Sequence, residues 1–182
     1  MYLRLAHSAP AEALPEDECV RAFDQELDYV FASLRRLGAP AADLEDLAHD
    51  VFVVLLRHWP TLDTSRPLRP YLFGIAYRIV SAHRRRRLRE VPHISEEPAD
   101  TGPGPEKVLQ SQQAVALLHA ALERVPLPRR AVLILHELDG IPIAEVARVL
   151  SITRFGAYAR LHKGHRELAA AVRRLGGYGA AR

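Results

Sequence analysis

Apolar residues recur at every third or fourth position from Val20 to Leu37: Val20, Phe23, Leu27, Val30, Leu34 and Leu37. A stripe that long, at that spacing, fits a helix with one face packed on other helices. Glu16, Asp17 and Glu18 suit the positive end of its dipole. Gly38 supplies a left-handed stop, which Pro40 reinforces. A second helix is expected over 41–58, ended by Pro60, with Leu44, Leu47, Val51, Val54 and His58 as its inner stripe. Asp43, Asp46 and Asp50 form an acidic stripe beside it, with Val53, Leu56 and Arg57 nearby. Taken alone, that stripe reads as a solvated face. Trp59 is expected to cap the core.

The third helix, Tyr71–Arg89, is introduced by Pro67 and Pro70. Leu72, Ile75, Ile79 and Ala82 should face the core, and Tyr71, Gly74, Arg78, Ser81 and Arg85 share another face. Arg84, Arg85, Arg86, Arg87 and Arg89 close the helix. Guanidinium groups neutralise phosphates, and tyrosine rings stack on unpaired bases. The same residues also fit an amphipathic helix whose basic end complements its own dipole.

No alternating β-branched run interrupts residues 1–90, so 16–90 reads as a three-helix domain behind a flexible segment, 1–15. Val91–Pro105 contains four prolines, two glycines and three carboxylates with no apolar period, the composition of a linker. Helical spacing resumes from Glu106 to Arg124 with Val108, Val115, Leu118 (or Leu117) and Leu122. Pro126 and Pro128 break it. Arg129–Leu138 is short and very apolar, so it should be buried, and Asp139-Gly140 is a turn. Ile143–Leu150, a break at Ser151–Thr153 and a last helix from Arg154 to Arg174 fit a helix-turn-helix, with Ala147 at the close crossing. Residues 176–182 read as a flexible tail. The expected fold is all-α: two small helical domains joined by a flexible linker, the C-terminal one (106–175) a helix-turn-helix.

Charge divides along the same lines. Residues 1–60 carry 5 basic and 11 acidic side chains, 61–91 carry 8 and 2, 92–109 carry 1 and 4, and 110–182 carry 11 and 5. Two basic blocks around an acidic one imply two separate contacts with a polyanion. Hydrophobic content of 48% supports a packed core, and no apolar run approaches the roughly 18 residues of a membrane span. The N-terminus does not read as a signal peptide. Cys19 is the sole cysteine, which excludes an internal disulfide and a thiolate zinc cluster and fits a reducing cytoplasm.

Three segments carry a resemblance. DLEDLAHDVFVVLLRHW (Asp43–Trp59), RPYLFGIAYRIVSAHRRRR (Arg69–Arg87) and LERVPLPRRAVLILHELDGIPIAEVARVLSIT (Leu122–Thr153) resemble, in order, segments of the extracytoplasmic-function (group IV) sigma factors of bacterial RNA polymerase, within the sigma-70 family. The first is similar to the segment that docks on the β′ clamp helices, the second to the −10 melting segment, and the third to the fourth conserved region. The resemblance implies a sigma factor that binds core polymerase, melts the −10 element and contacts the −35 element. It implies docking through Asp43, Glu45, Asp46, His49, Asp50, Val53 and Arg57. It implies −10 contacts from Tyr71, Tyr77, Arg78, Ser81, Arg84, Arg85, Arg86 and Arg87, with Arg78 where the family reads the flipped base. It implies −35 contacts from Thr153, Arg154, Phe155, Tyr158, Arg160, Lys163 and Arg166. The implied partners are core polymerase (β′ clamp helices and β flap), promoter DNA and an anti-sigma factor. The linker carboxylates Glu96, Glu97 and Asp100 would follow the path later used by nascent RNA.

One stretch departs from the family. Where Gly-Thr-Val-Lys-Ser-Arg-Leu is usual, this chain has Phe155-Gly156-Ala157-Tyr158-Ala159-Arg160-Leu161. Glycine inside a helix costs about 1 kcal/mol against alanine. Gly156 and Gly164 therefore point to a helix that starts late or binds loosely, and Phe155 to a ring drawn into the helix-turn-helix core. Two other readings follow: a helix-turn-helix regulator that acts without polymerase, or a polymerase-binding protein with weak or no −35 reading. An enzyme is not expected. His162 and His165 are the close histidine pair and have no acidic or thiolate partner at ligand spacing. No catalytic residue, metal or cofactor is implied, and no membrane insertion.

Overall fold

The computed structural model describes residues 15–90 and 106–179, all of them helix, turn or short connection. Residues 1–14 of the expected lead-in, the linker 91–105 and residues 180–182 lie outside the described residues, while Pro15 already begins the first helix. Seven α-helices are described: α1 Pro15–Leu37, α2 Leu44–His58, α3 Leu68–Glu90, α4 Glu106–Glu123, α5 Leu127–Leu133, α6 Ile143–Val149 and α7 Arg154–Gly179. Among the described residues, no helix is long and apolar enough to cross a membrane.

Helix α1 ends as its sequence dictates. Gly38 takes φ +84°, its N–H reaches the Arg35 carbonyl at 2.9 Å and the Ala39 N–H reaches that of Leu34 at 3.0 Å. This Schellman pair satisfies carbonyls that the helix end would leave bare. Helix α2 follows a 3-10 turn over Ala41–Asp43, and a second such turn over Trp59–Thr61 closes it. Trp59 is buried, as expected. Pro70 lies in the first turn of α3, where its missing N–H costs nothing.

The buried stripes are rotated slightly from those expected. In α1, Cys19 is buried in place of Val20, which is 41% exposed. In α2, Leu55 takes the place of Val54 and His58. In α3, Ala82 is exposed, and the buried set is Leu72, Phe73, Ile75, Ala76 and Val80. Residues 72–76 of α3 are buried all round because α1 and α2 pack on one side and α6 on the other.

In the second half, α5 begins two residues earlier than expected, at Leu127, with Pro128 in its first turn. It continues as a π turn over Ile134–Leu138. Residues 130–135 are all buried, as the apolar run required. Gly140 takes φ +69° at the expected turn. Ser151 (φ 54°) makes the break between α6 and α7, and Ala147 is buried at their crossing. Helix α7 runs through the expected tail to Gly179. Gly164 has a packing reason: a Cβ there would sit 3.1 Å from Leu133 Cδ1, so its absence lets α7 close on α5.

The two halves share one apolar core, in which Leu34, Leu55 and Phe73 join Ala131, Ile134, Val146 and Leu150. A smaller cluster of Leu122, Val125 and Leu133 ties α4 to α5.

Candidate nucleic-acid interface

Three surfaces hold the residues singled out in the sequence. The first is the outer face of α2. Glu45, Asp46, His49, Asp50 and Arg57 are exposed, and Val53 is half-buried. Asp43 turns away from them: its Oδ2 lies 3.2 Å from His83 Nε2 and 4.0 Å from Arg87 Nη1, pinning α3 to the start of α2. The acidic stripe is thus two exposed aspartates plus one engaged inside the molecule.

The second surface is a crevice of about 630 Å³ bounded by α1, α3 and α6, with Glu18, Glu26 and Asp63 among its lining. Tyr71, Gly74 and Arg78 line it from α3, Trp59 and Leu62 from the end of α2, and Glu145, Arg148 and Val149 from α6. Gly74 is what admits α6: a Cβ there would stand 3.2 Å from Val149 Cγ1 and 3.3 Å from its carbonyl oxygen. Arg78 Nη2 donates to that carbonyl at 3.4 Å, and Arg66 Nη2 meets Glu145 Oε1 at 3.3 Å. Burial, partly opposed by the Arg78 charge, pushes the Tyr71 hydroxyl pKa up. Tyr77 is half-buried against the core and does not line the crevice. Beyond it, Arg85 Nε donates to the Ser81 carbonyl at 3.2 Å, and Arg84, Arg85 and Arg86 are exposed while Arg87 is half-buried.

The third surface is α7. Its start is held by Thr153, whose Oγ1 accepts the Gly156 N–H at 3.0 Å, so the helix begins at Arg154 and not late. Phe155 is 84% exposed and Tyr158 56% exposed, so neither ring packs into the helix-turn-helix core. Arg154, Lys163 and Arg166 are exposed. Arg160 and Lys163 lie toward Pro126, Pro128 and Arg129, beside the start of α5. Tyr158 and His162 therefore occupy one side of the helix, Arg160 and Lys163 another, with Phe155 between them. His165 Nε2 meets Glu137 Oε1 at 3.0 Å. Among the described residues, no group of three histidine, cysteine or carboxylate side chains is placed to hold a metal ion.

Two contacts, one long-range and one local, were missed in the sequence. The Tyr29 hydroxyl on α1 donates to Asp139 Oδ2 at 2.7 Å, with Arg36 Nη1 at 3.7 Å from Oδ1 and Arg69 5.3 Å above the Tyr29 ring. Burial raises the Asp139 pKa, and the Tyr29 hydrogen bond and the Arg36 and Arg69 charges oppose the rise. Arg130 is buried with its Nε and Nη2 donating to the Val125 carbonyl at 3.2 and 3.1 Å and Nη2 also to that of Glu123. Burial, and then the Arg84 charge, push its pKa down to about 10, which leaves it charged at neutral pH. A lone arginine pair ahead of the run Ala131–Leu135 was the available signal: a charge bordering a fully apolar segment must find buried acceptors.

Residues 22–90 match the Sigma-70 region 2 family, and residues 116–168 match Sigma-70, region 4. The chain belongs to the extracytoplasmic-function group of the sigma-70 family. It is 26% identical over 144 residues to the RNA polymerase sigma factor NccH of Alcaligenes xylosoxydans, covering 75% of this chain and 76% of that one. It is 28% identical over 166 residues to the sigma factor SigE of Mycolicibacterium smegmatis, covering 86% of this chain and 61% of that one. Its fold is similar to that of the sigma factor RpoE from Bartonella quintana, solved with the anti-sigma factor NepR (TM-score 0.65, 20% identity, 84% of this chain and 98% of that one). It is also similar to CnrH, solved with the cytosolic domain of CnrY (TM-score 0.58, 21% identity, 86% of this chain and 94% of that one). A sigma factor directs polymerase to promoters, and the region 2 match favours that reading over a helix-turn-helix regulator alone.

Proposed function

We propose that this sigma factor divides its work among the three surfaces. The outer face of α2, with Glu45, Asp46, His49, Asp50, Val53 and Arg57, docks on the β′ clamp helices, and Asp43 supports it from within by fixing α3. The α4–α7 domain sits at the β flap. Tyr71 and Arg78 take the flipped −10 base into the crevice, Tyr77 and Ser81 flank it, and Arg84–Arg87 grip the phosphates of the opened strand. Unpairing bases costs energy that stacking offsets at about 1–3 kcal/mol per base. Residues 153–166 enter the −35 major groove. The domain boundaries 16–90 and 106–175 and the acidic linker belong to the same reading, as do an anti-sigma partner, a cytoplasmic location and the lack of a catalysed reaction.

The observation that carries this reading is the crevice beneath α6, where a tyrosine, a tryptophan and an arginine converge beside the helix that ends in the arginine cluster. Arg78 is exposed and donates to the Val149 carbonyl at 3.4 Å, a contact it would exchange for one with a base. Permanganate footprinting with core polymerase tests it. Tyr71→Ala with Arg78→Ala should leave a closed promoter complex and reduce strand opening, whereas full opening removes these residues from melting. Asp46→Lys with Asp50→Lys should weaken core binding in a pull-down with the helical fold intact, and unchanged binding removes the docking face.

A further inference from the structure

Phe155 is the most exposed large apolar side chain among the described residues. It stands in the first turn of α7, the recognition helix, the part of such a helix that reaches base edges. It is not a frayed end. The Thr153 cap holds the turn, and an added Cβ at Gly156 would meet Thr153 Oγ1 at 3.1 Å, so the glycine keeps the cap undisturbed. Tyr158, one turn on, adds a second exposed ring, and the buried Ala157 between them seats the helix.

The surroundings choose the occupant. Arg154 is exposed in the same turn, and Lys163 and Arg166 are exposed about two and three turns further on, a basic stretch of helix that favours a polyanion. Inside the major groove, the one apolar feature of a base pair is the thymine C5-methyl group, and phenylalanine is among the side chains suited to it. In this turn Thr153 Oγ1 accepts the cap hydrogen bond and position 156 has no side chain, so hydrogen-bonding edges are left to Arg154 and Tyr158, and the Phe155 ring is free for an apolar contact.

We propose that Phe155 is a specificity residue that selects thymine in the −35 element by covering its C5-methyl group. The inference rests on −35 reading by α7. It makes this recognition helix a reader of methyl groups within a basic frame, where charge fixes position and the ring fixes sequence.

The test uses the full chain with core polymerase on a promoter recovered from a library with a randomised −35 block. Each −35 thymine is then replaced by deoxyuridine, which removes the methyl group and keeps every hydrogen-bonding edge. One buried methyl is equivalent to about 0.8 kcal/mol, so at least one replacement should weaken promoter binding about fourfold. Phe155→Ala should bind the thymine promoter about fourfold more weakly and bring the thymine-to-deoxyuridine ratio at that position close to one. Phe155→Leu should keep part of the discrimination. If scrambling the whole block changes nothing, −35 reading itself fails. If scrambling matters but deoxyuridine does not, or if Phe155→Ala keeps the discrimination, α7 reads DNA and this role for Phe155 is wrong. Loss of polymerase assembly in Phe155→Ala with the thymine preference unchanged would assign the ring to a protein surface and likewise overturn it.

Discussion

Helices α3 and α7 are both candidates to touch promoter DNA, and the molecule treats them in opposite ways. Helix α3 is buried all round over residues 72–76, and Arg78 is engaged by the Val149 carbonyl. Helix α7 keeps one side in the core and turns Arg154, Phe155 and Tyr158 to solvent. The first surface is partly covered by the second domain, and the other is on offer. Arg78 itself is exposed, so a base need only displace its 3.4 Å contact with that carbonyl.

The strongest way to break this contrast is Gly74→Leu. Its side chain would occupy the space of Val149, and overpacking of that kind costs about 1–3 kcal/mol. The variant should part α6 from α3 and leave α7 as it is. Trp59 is the only tryptophan and lines the same crevice, so its emission should shift to the red while the α7 contact with −35 duplex persists. An unshifted emission with native stability would show that α6 does not close over α3 in solution.

A gentler variant acts at the other junction. Tyr29→Phe removes the hydrogen bond to Asp139 and leaves a half-buried carboxylate short of a donor, a loss of about 1.5 kcal/mol. Urea unfolding should show it, and an unchanged midpoint would mean that α1 does not hold the Asp139 turn. On the open side, Thr153→Ala should cost about 1 kcal/mol by removing the cap. It should reduce −35 dependence in transcription and leave binding to a preformed −10 bubble unchanged. Equal loss on both promoter elements would deny that the two helices work separately.

The smallest effect is a slope. Burial holds the Asp139 pKa above its ordinary value of 3.8. The folded chain therefore binds that proton more tightly, so its contribution to stability is greatest below the ordinary value and falls as pH rises through the raised one. Asp139→Asn should flatten that part of the stability profile in urea titrations. A profile that keeps its slope would place the responsible group elsewhere.

Helix positions were readable because proline and glycine mark their ends and the apolar period marks their middles. Gly38, Pro60 and Gly140 stand where their sequences required. Facing was read less well. A stripe at spacing three or four fixes the helix but allows a neighbouring stripe, and Cys19 and Leu55 won over Val20 and Val54 because they point at the shared core. Helix α3 could not be assigned a single face, since α6 covers it from a second direction. Of the candidate sites, Tyr71 and Arg78 came together as their shared face required, while Asp43 left its stripe because the basic end of α3 lies beside it. The Phe155 ring stayed outside, 84% exposed, where the sequence had drawn it inward. The Tyr29–Asp139 bond joins residues 110 apart, and no local pattern announces such a pair.

The π turn at Ile134–Leu138 gives this junction one residue of slack. A π turn holds one residue more than an α turn. Deleting one of the five would let the segment relax to α-helical winding with everything after it still in phase. An added residue has no such slack and would swing everything after it by about 100° around the axis. Asp139 would then leave Tyr29, and α6 would arrive at α3 with a different edge. The segment should therefore be more tolerant of a lost residue than of a gained one.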